Sequence, residues 1–283
     1  MKVPKVQSKT VLVTGCSSGI GEGIAKYLRG EGWEVFPTAR TEIDLEKLHS
    51  VGFDALFLDL CDSDSIKACV SRLLRQCPAG IGAIVNNAGI AIPGAVEDLS
   101  REDLKIQFEV NVFGLQELTN RLIPTMRDQG WGRIVNISSI YGVLTAPMVG
   151  GYCASKYALE AISNAQRMEL CGSGIGLSLV EPGPIVSCFR RNAYESLKNR
   201  VTVEHHFYKR YNKFLRHKLM QPQRKRRFTQ SPQQVAKKVL HAITNDNPRQ
   251  RYLVTLPAYA GSFLARILPG SAIDWVMKRG LNI

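Results

Sequence analysis

The sequence predicts an α/β protein built on a doubly wound parallel sheet of about seven strands, with a basic helical insertion and a C-terminal extension. Three observations predict it. Short runs rich in Val, Ile and Leu alternate with amphipathic stretches of helical period. A glycine-rich segment, Thr14-Gly15-Cys16-Ser17-Ser18-Gly19-Ile20-Gly21, separates the first run from the first helical stretch. The net positive charge lies wholly beyond residue 187. Strands that alternate with helices, and are apolar on both faces, belong to a parallel sheet covered on both sides.

The strand-like runs are residues 11–14, 35–38, 55–58, 83–86, 134–137, 177–180 and 252–256. Helical periodicity occupies 20–31, 63–76, 101–127 and 151–171. No repeat or low-complexity linker interrupts the pattern, so residues 1–283 are expected to form one domain. Within it, 9–187 form the core, 188–230 an insertion, and 231–283 a last helix, strand and apolar tail. The insertion offers no convincing strand. Val203, Phe207, Tyr211 and Phe214 recur there at helical spacing, opposite Lys, Arg and His. Ser231 and Pro232 then supply the N-cap and first position of a helix running to about Thr244.

Apolar content of 45% and charged content of 22% suit a water-soluble enzyme and argue against a disordered chain. Seven cysteines without a CxxC pair make both a disulfide framework and a structural zinc poor readings, so a reducing cytoplasm is expected. Neither a secretory leader nor a membrane span is predicted. Formal charge is −3 over residues 1–187, +11 over 188–230 and +5 over 231–283. The basicity belongs to the insertion and tail.

Two motifs carry chemistry. In the glycine segment, Gly15 permits a tight turn, Gly19 lets backbone approach a pyrophosphate, and Gly21 allows close helix–sheet packing. Phosphates would meet the positive end of the first helix. Further on, Ser139 precedes Tyr152 by thirteen residues, and Lys156 lies one turn beyond the tyrosine. Hydride chemistry at a carbinol carbon needs this set: a hydroxyl to polarise oxygen, a phenol to carry its proton, and a cation to acidify the phenol. Tyr-x3-Lys alone is a weak signal, since Tyr194 and Lys198 repeat it with Glu181 in place of the serine.

The glycine segment, Asn86-Asn87-Ala88-Gly89, Asn111, Ser139, Tyr152-x3-Lys156 and Pro182-Gly183 stand in the order of the short-chain dehydrogenases/reductases, which residues 9–187 closely resemble. The likeness is to the branch holding steroid- and retinol-dehydrogenase-like enzymes and bacterial NADP-dependent aldehyde reductases. It implies a Rossmann-type fold and a catalytic set of Asn111, Ser139, Tyr152 and Lys156. Tyr152 would be the general acid/base, Lys156 would favour its phenolate, and Ser139 would bond the substrate oxygen. Asn111 in the family kinks its helix and holds a water linking the lysine to solvent. The implied dinucleotide contacts are Gly15, Ser17, Ser18, Gly19, Ile20 and Gly21, then Arg40, Asp59 and Leu60. They continue through Asn87, Ala88, Gly89, Tyr152, Lys156, Pro182, Gly183, Ile185 and Ser187. Asp59 would hold the adenine amino group, and Asn87 and Gly89 would line the nicotinamide ribose. Ser187 replaces the family's threonine at the carboxamide and keeps its hydroxyl. No metal is implied.

Cofactor choice turns on the end of the second strand. Ala39 stands where NAD-specific enzymes place an acid, and Arg40 follows with a planar fork suited to a 2′-phosphate, which predicts NADP(H). By resemblance, 188–230 form the lid over the substrate. Three readings of its charge stay open: a solvated lid, a contact with an anionic membrane surface, or an acidic partner such as acyl carrier protein. Nucleic acid is not expected, because no nucleic-acid fold surrounds Arg224–Arg227. The expected activity is NADPH-dependent interconversion of a lipophilic aldehyde, ketone, retinoid or steroid with its alcohol. The alternatives are a 3-oxoacyl-carrier-protein reductase and a non-catalytic NADPH sensor or membrane scaffold. A homodimer or homotetramer is an expectation from the family alone.

Overall fold

The computed structural model describes residues 2–198, 206–209, 211 and 228–281. Seven strands form one parallel sheet in the order β3-β2-β1-β4-β5-β6-β7. They are β1 (Thr10–Val13), β2 (Glu34–Ala39), β3 (Leu56–Phe57), β4 (Ala83–Asn86), β5 (Gly132–Ile137), β6 (Ile175–Glu181) and β7 (Arg251–Leu253). The order reverses direction at β1/β4, and in such sheets the crevice at that point is where ligands bind.

Alternation along β1 sorts the core into two layers. Val11 and Val13 join Val35, Ile24 and Leu28 beneath α1 (Gly19–Gly30), with Val235 and Val239 from the helix Pro232–Thr244. Leu12 points the other way, to Ile84, Ile134, Leu177, Leu73 and Leu118 beneath α3 (Ser63–Gln76) and the helix Gly114–Asp128. Each large side chain so buried contributes about 1.5–3 kcal/mol. A polar seam also runs through this core. Asn86 Nδ2 donates to Thr119 Oγ1 and to Asn136 Oδ1, both at 2.8 Å, and Asn136 Nδ2 donates to Ser163 Oγ at 2.8 Å.

Among the described residues the remaining α-helices are α2 (Glu42–Ser50), α4 (Arg101–Phe108), α5 (Gly114–Asp128), α6 (Gly150–Glu169), α7 (Phe189–Lys198), α8 (Pro232–Thr244), α9 (Leu256–Ile267) and α10 (Gly270–Leu281). The stretch expected as one helix over 101–127 is divided by a wide π turn at Glu109–Phe113, which holds Asn111. That is the kink the family resemblance implied. The strand expected to reach Leu256 stops at Leu253, because Thr255 caps α9 by accepting from the Ala258 N–H and Pro257 sits in its first turn. The apolar tail is thus two helices, and α2 is an element the periodicity did not signal. Of the apolar row expected in the insertion, Val203 and Phe214 lie outside the described residues. Tyr211 is buried against Ala95, Met148 and Leu197, with Phe207 packed beside it. Its hydroxyl accepts from the Ala95 N–H at 2.7 Å and donates to Asp98 Oδ2 at 2.5 Å. These two aromatics tie the insertion to the body rather than facing outward.

Replacing Asn136 by Ala strips partners from the buried Asn86 amide and Ser163 hydroxyl. Urea unfolding should register a loss of about 1–3 kcal/mol, the cost of leaving buried polar groups unmatched; an unchanged midpoint would contradict this account of the seam.

Candidate active site

A cleft of about 700 Å³ runs along the carboxyl ends of the strands. Gly15, Ser17 and Ser18 reach it from the β1–α1 loop, Gly19 and Ile20 from the start of α1, Arg40 from just after β2, and Asp59 and Leu60 from the segment after β3. Asn87, Ala88 and Gly89 follow β4, Ser139 follows β5, and Pro182, Gly183, Ile185 and Ser187 follow β6. Tyr152 and Lys156 enter from α6. Every residue expected from the sequence lines this cleft except Gly21 and Asn111, which sit one layer behind.

The glycine loop is shaped for close approach. Gly15 and Gly19 have φ of 70° and 65°, a region where a side chain is strained. A Cβ on Gly15 would lie 2.8 Å from Ala88 Cα, and one on Gly19 would lie 2.9 Å from Ser187 Cβ. Gly21 has no room for a side chain either, being pressed on the Gly15 carbonyl and the Asn87 amide. Thr14 Oγ1 accepts from the N–H groups of Asn87 and Ala88 at 3.0 and 2.9 Å, so the loops after β1 and β4 move as one. Ser18 precedes α1 in extended conformation without capping it by its side chain, unlike the capping residues of α2, α3 and α4. The first turn of α1 thus lines the cleft without a side-chain cap, which fits a pyrophosphate. At the end of β2, Ala39 is buried and Arg40 is exposed with no hydrogen bond or ion pair to a described residue.

At the other end of the cleft, Lys156 is buried and donates from Nζ to the Ile137 carbonyl of β5 at 2.8 Å. Its Nζ lies 6.0 Å from the Tyr152 ring centroid. Burial pushes the Tyr152 phenol upward, opposed by a hydrogen bond with Ser139. Burial also pulls Lys156 down to about 8, and the Glu160 carboxylate opposes that fall. Near neutral pH the phenol therefore keeps its proton, and the lysine is poised to change charge. Ser139 Oγ also accepts the Tyr141 N–H at 3.1 Å, which fixes its rotamer at the cleft.

Asn111 supports this site from behind. Its Oδ1 accepts the Ile90 N–H at 2.9 Å, while Nδ2 donates to the Ile90 carbonyl and to Ser155 Oγ, each at 3.0 Å. Gln107, one turn earlier, holds Ile90 and Ile92 in the same way, with both bonds at 2.8 Å. It was not singled out from the sequence, although its i, i+4 spacing from Asn111 was a usable signal. Pro93, Tyr141, Val149, Phe189, Val276 and Met277 add apolar lining. The repeated motif at Tyr194 does not form a site: Lys198 is exposed on α7, while Glu181 is buried at the end of β6.

The chain belongs to the short-chain dehydrogenase family of oxidoreductases, whose family model (short chain dehydrogenase) matches residues 9–198. It is 39% identical to the uncharacterized oxidoreductase YbbO of Escherichia coli strain K12 over 97% of this chain and 96% of that protein. Human retinol dehydrogenase 16 is 35% identical over 63% of this chain and 57% of its own length. Among solved structures, a short-chain dehydrogenase from Streptomyces avermitilis superposes with a TM-score of 0.76 at 28% identity, over 96% of this chain and 94% of that one.

Proposed function

We propose that this protein is an NADPH-dependent carbonyl reductase or alcohol dehydrogenase acting on lipophilic aldehydes, ketones, retinoids or steroids. The observation that carries the reading is the convergence of Ser139, Tyr152 and Lys156 at one end of a cleft whose other end offers the open N-terminus of α1 and Arg40. The glycine loop would hold the pyrophosphate, Asp59 the adenine, and Asn87 and Gly89 the nicotinamide ribose. Arg40 beside Ala39 favours the 2′-phosphate. When bound, NADPH supplies a hydride from its nicotinamide C4.

The chain's own residues supply the proton and the orientation. Ser139 hydrogen-bonds the carbonyl oxygen, and Tyr152 donates its phenolic proton to that oxygen, passing to phenolate. The Lys156 ammonium stabilises the phenolate until it is reprotonated. The reverse reaction needs the phenolate first and so gains with rising pH. Phe189, with its ring centroid 5.5 Å from that of Tyr152, brings α7 over the reacting end and fits the lid reading of the single-domain chain. The related human protein is named as a retinol dehydrogenase, which accords with an apolar cleft.

A peripheral contact with an anionic bilayer, in a reducing cytoplasm, belongs to the same reading. Its support is the exposed row Leu256, Tyr259, Phe263 and Ile267 along α9, with Trp275 on α10 and Arg266, Lys278 and Arg279 nearby. Val276 and Met277 of α10 line the cleft, so a lipophilic substrate could pass from such a surface to the site. No helix among the described residues is long and apolar enough to cross a membrane. Pairing of subunits would draw on the exposed Phe113 and Tyr157, near Asn111 and Tyr152.

Tyr152→Phe should lower reduction across a panel of aldehydes, ketosteroids, retinal and 3-oxoacyl thioesters by at least about 10²-fold while NADPH still binds, since one acid/base group contributes that much; undiminished turnover would remove Tyr152 from the chemistry. Arg40→Asp is expected to shift the NADPH:NADH preference in kcat/KM by at least about tenfold, the worth of one charge-assisted bond, and an unaltered ratio would sink the cofactor assignment. Flotation with phosphatidylserine-containing vesicles should fall when Phe263 and Trp275 are both changed to Ser, whereas equal flotation would exclude α9 and α10 as the contact.

A further inference from the structure

Tyr152, Lys156 and Glu160 follow one another at i, i+4 and i+8, a single row of α6 directed into the protein. Behind them Arg251, the first residue of β7, places Nη1 2.6 Å from Glu160 Oε2 and 2.6 Å from Glu181 Oε1. The two carboxylate side chains are 6% and 1% exposed. Glu181 already meets the guanidinium through a hydrogen bond, accepting at Oε1, and Ser262 Oγ donates to its Oε2 at 3.5 Å. One guanidinium thus faces two buried carboxylates, and Lys156, one turn before Glu160 in the same row of α6, is the buried ammonium beside them. Gly142 leaves room for this arrangement, because a Cβ there would come within 2.8 Å of Ser138 Oγ and 2.9 Å of Glu160 Cγ.

We propose that Glu160 is a positioning residue for proton transfer: its carboxylate, paired with Arg251, keeps the buried Lys156 ammonium charged so that Lys156 can support the Tyr152 phenolate. This deepens the proposed function and rests on Tyr152 as the proton donor. A bare ammonium in an apolar interior tends to shed its proton. Burial drives Lys156 down, and Glu160 is the charge that opposes it. Burial and then Glu181 raise Glu160, while Ser138 and Arg251 act to keep it ionised. Arg251 therefore has two tasks, neutralising Glu181 and holding Glu160 in the form that Lys156 needs. Lys156 itself meets Tyr152 and the charge of Glu160; Cys153 on α6 and Tyr141 from the turn after β5 act on Tyr152, Arg190 of α7 acts on Tyr141, and Glu181 of β6 and Arg251 of β7 act on Glu160.

The test compares Glu160→Gln, Glu160→Asp and Glu181→Gln in the full chain. Carbonyl reduction is lost at high pH as Lys156 deprotonates, so the basic limb of kcat tracks the lysine. Glu160→Gln should move that limb to lower pH by at least about one unit, the size of a neighbouring charge's effect. Glu160→Asp should restore it. Glu181→Gln breaks the same Arg251 bridge, yet it should leave the limb in place or move it slightly upward, because Glu160 then ionises more readily. The lysine is also read directly, by NMR titration of protein labelled with 13C at lysine Cε, the Lys156 signal being the one missing in Lys156→Met. A downward move in Glu160→Gln alone supports the proposal. Equal titration in all variants, or losses of stability and kcat in both glutamine variants with no displacement of the limb, overturns it in favour of a merely structural network. Should Glu160→Gln not fold, Glu160→Met removes the same charge at similar volume. If the wild type reduces no carbonyl, the proposed function fails by itself, and the NMR titration still decides the coupling of Glu160 to Lys156.

Discussion

The interaction on which the rest of the site depends is the burial of Lys156 against the Ile137 carbonyl. Lowering a lysine from 10.5 to about 8 costs the folded state about 3 kcal/mol while the group is charged. That cost applies below about pH 8 and fades as pH rises toward 10.5, where the unfolded chain also loses the proton. The fold must offset it. It does so by fixing α6 to β5 through Asn136 with Ser163, and to the π turn through Asn111 with Ser155. The lysine is then held where a free side chain would turn to water. A mobile ammonium could not polarise one particular phenol, so the strain and the chemistry have the same origin.

The same reasoning explains the π turn. A regular helix over 101–127 would present Asn111 in register with Gln107 and satisfy its own backbone. The wide turn at Glu109–Phe113 carries the Asn111 amide to the Ile90 backbone, where it both accepts and donates. Two amides, Gln107 and Asn111, thereby hold an irregular segment as a strand partner would. That segment forms part of the cleft wall, so precision at Tyr152 rests on a helix that departs from regular geometry.

Much of this was legible in the sequence, and the reasons are physical. Strand positions follow from apolar runs because a parallel sheet covered on both faces leaves no polar face to confuse the signal. The glycine loop is legible because backbone at positive φ and close contact restrict Gly15 and Gly19 to one residue type. Helix α2 was hidden because, of nine residues, only Leu45 and Leu48 are buried. The tail helices were masked by Pro257 and Gly270, although Thr255 and Pro257 together form a helix start. Tyr211 kept its helical spacing but not the outward role considered for it, since periodicity shows that a face is apolar and not what covers it. The Glu160–Arg251–Glu181 group was beyond reach for another reason: its partners come from α6, β7 and β6, and only the sheet order makes them neighbours.

The charge map takes on a different meaning once the fold is known. Arg190 of α7 lines the cleft, and α10, which carries Lys278 and Arg279, borders it. Behind Tyr152, by contrast, the charged groups are few and lie buried together. Arg251 bridges Glu160 and Glu181, and Lys156 stands one turn from Glu160 on α6. Surface charge in water is screened and adjustable. Buried charge is neither screened nor adjustable, and altering one member of the inner set changes the ionisation of the others. The Tyr152–Lys156 pair therefore cannot be separated from the strand pairing of β6 with β7, which seats Arg251 between the two glutamates.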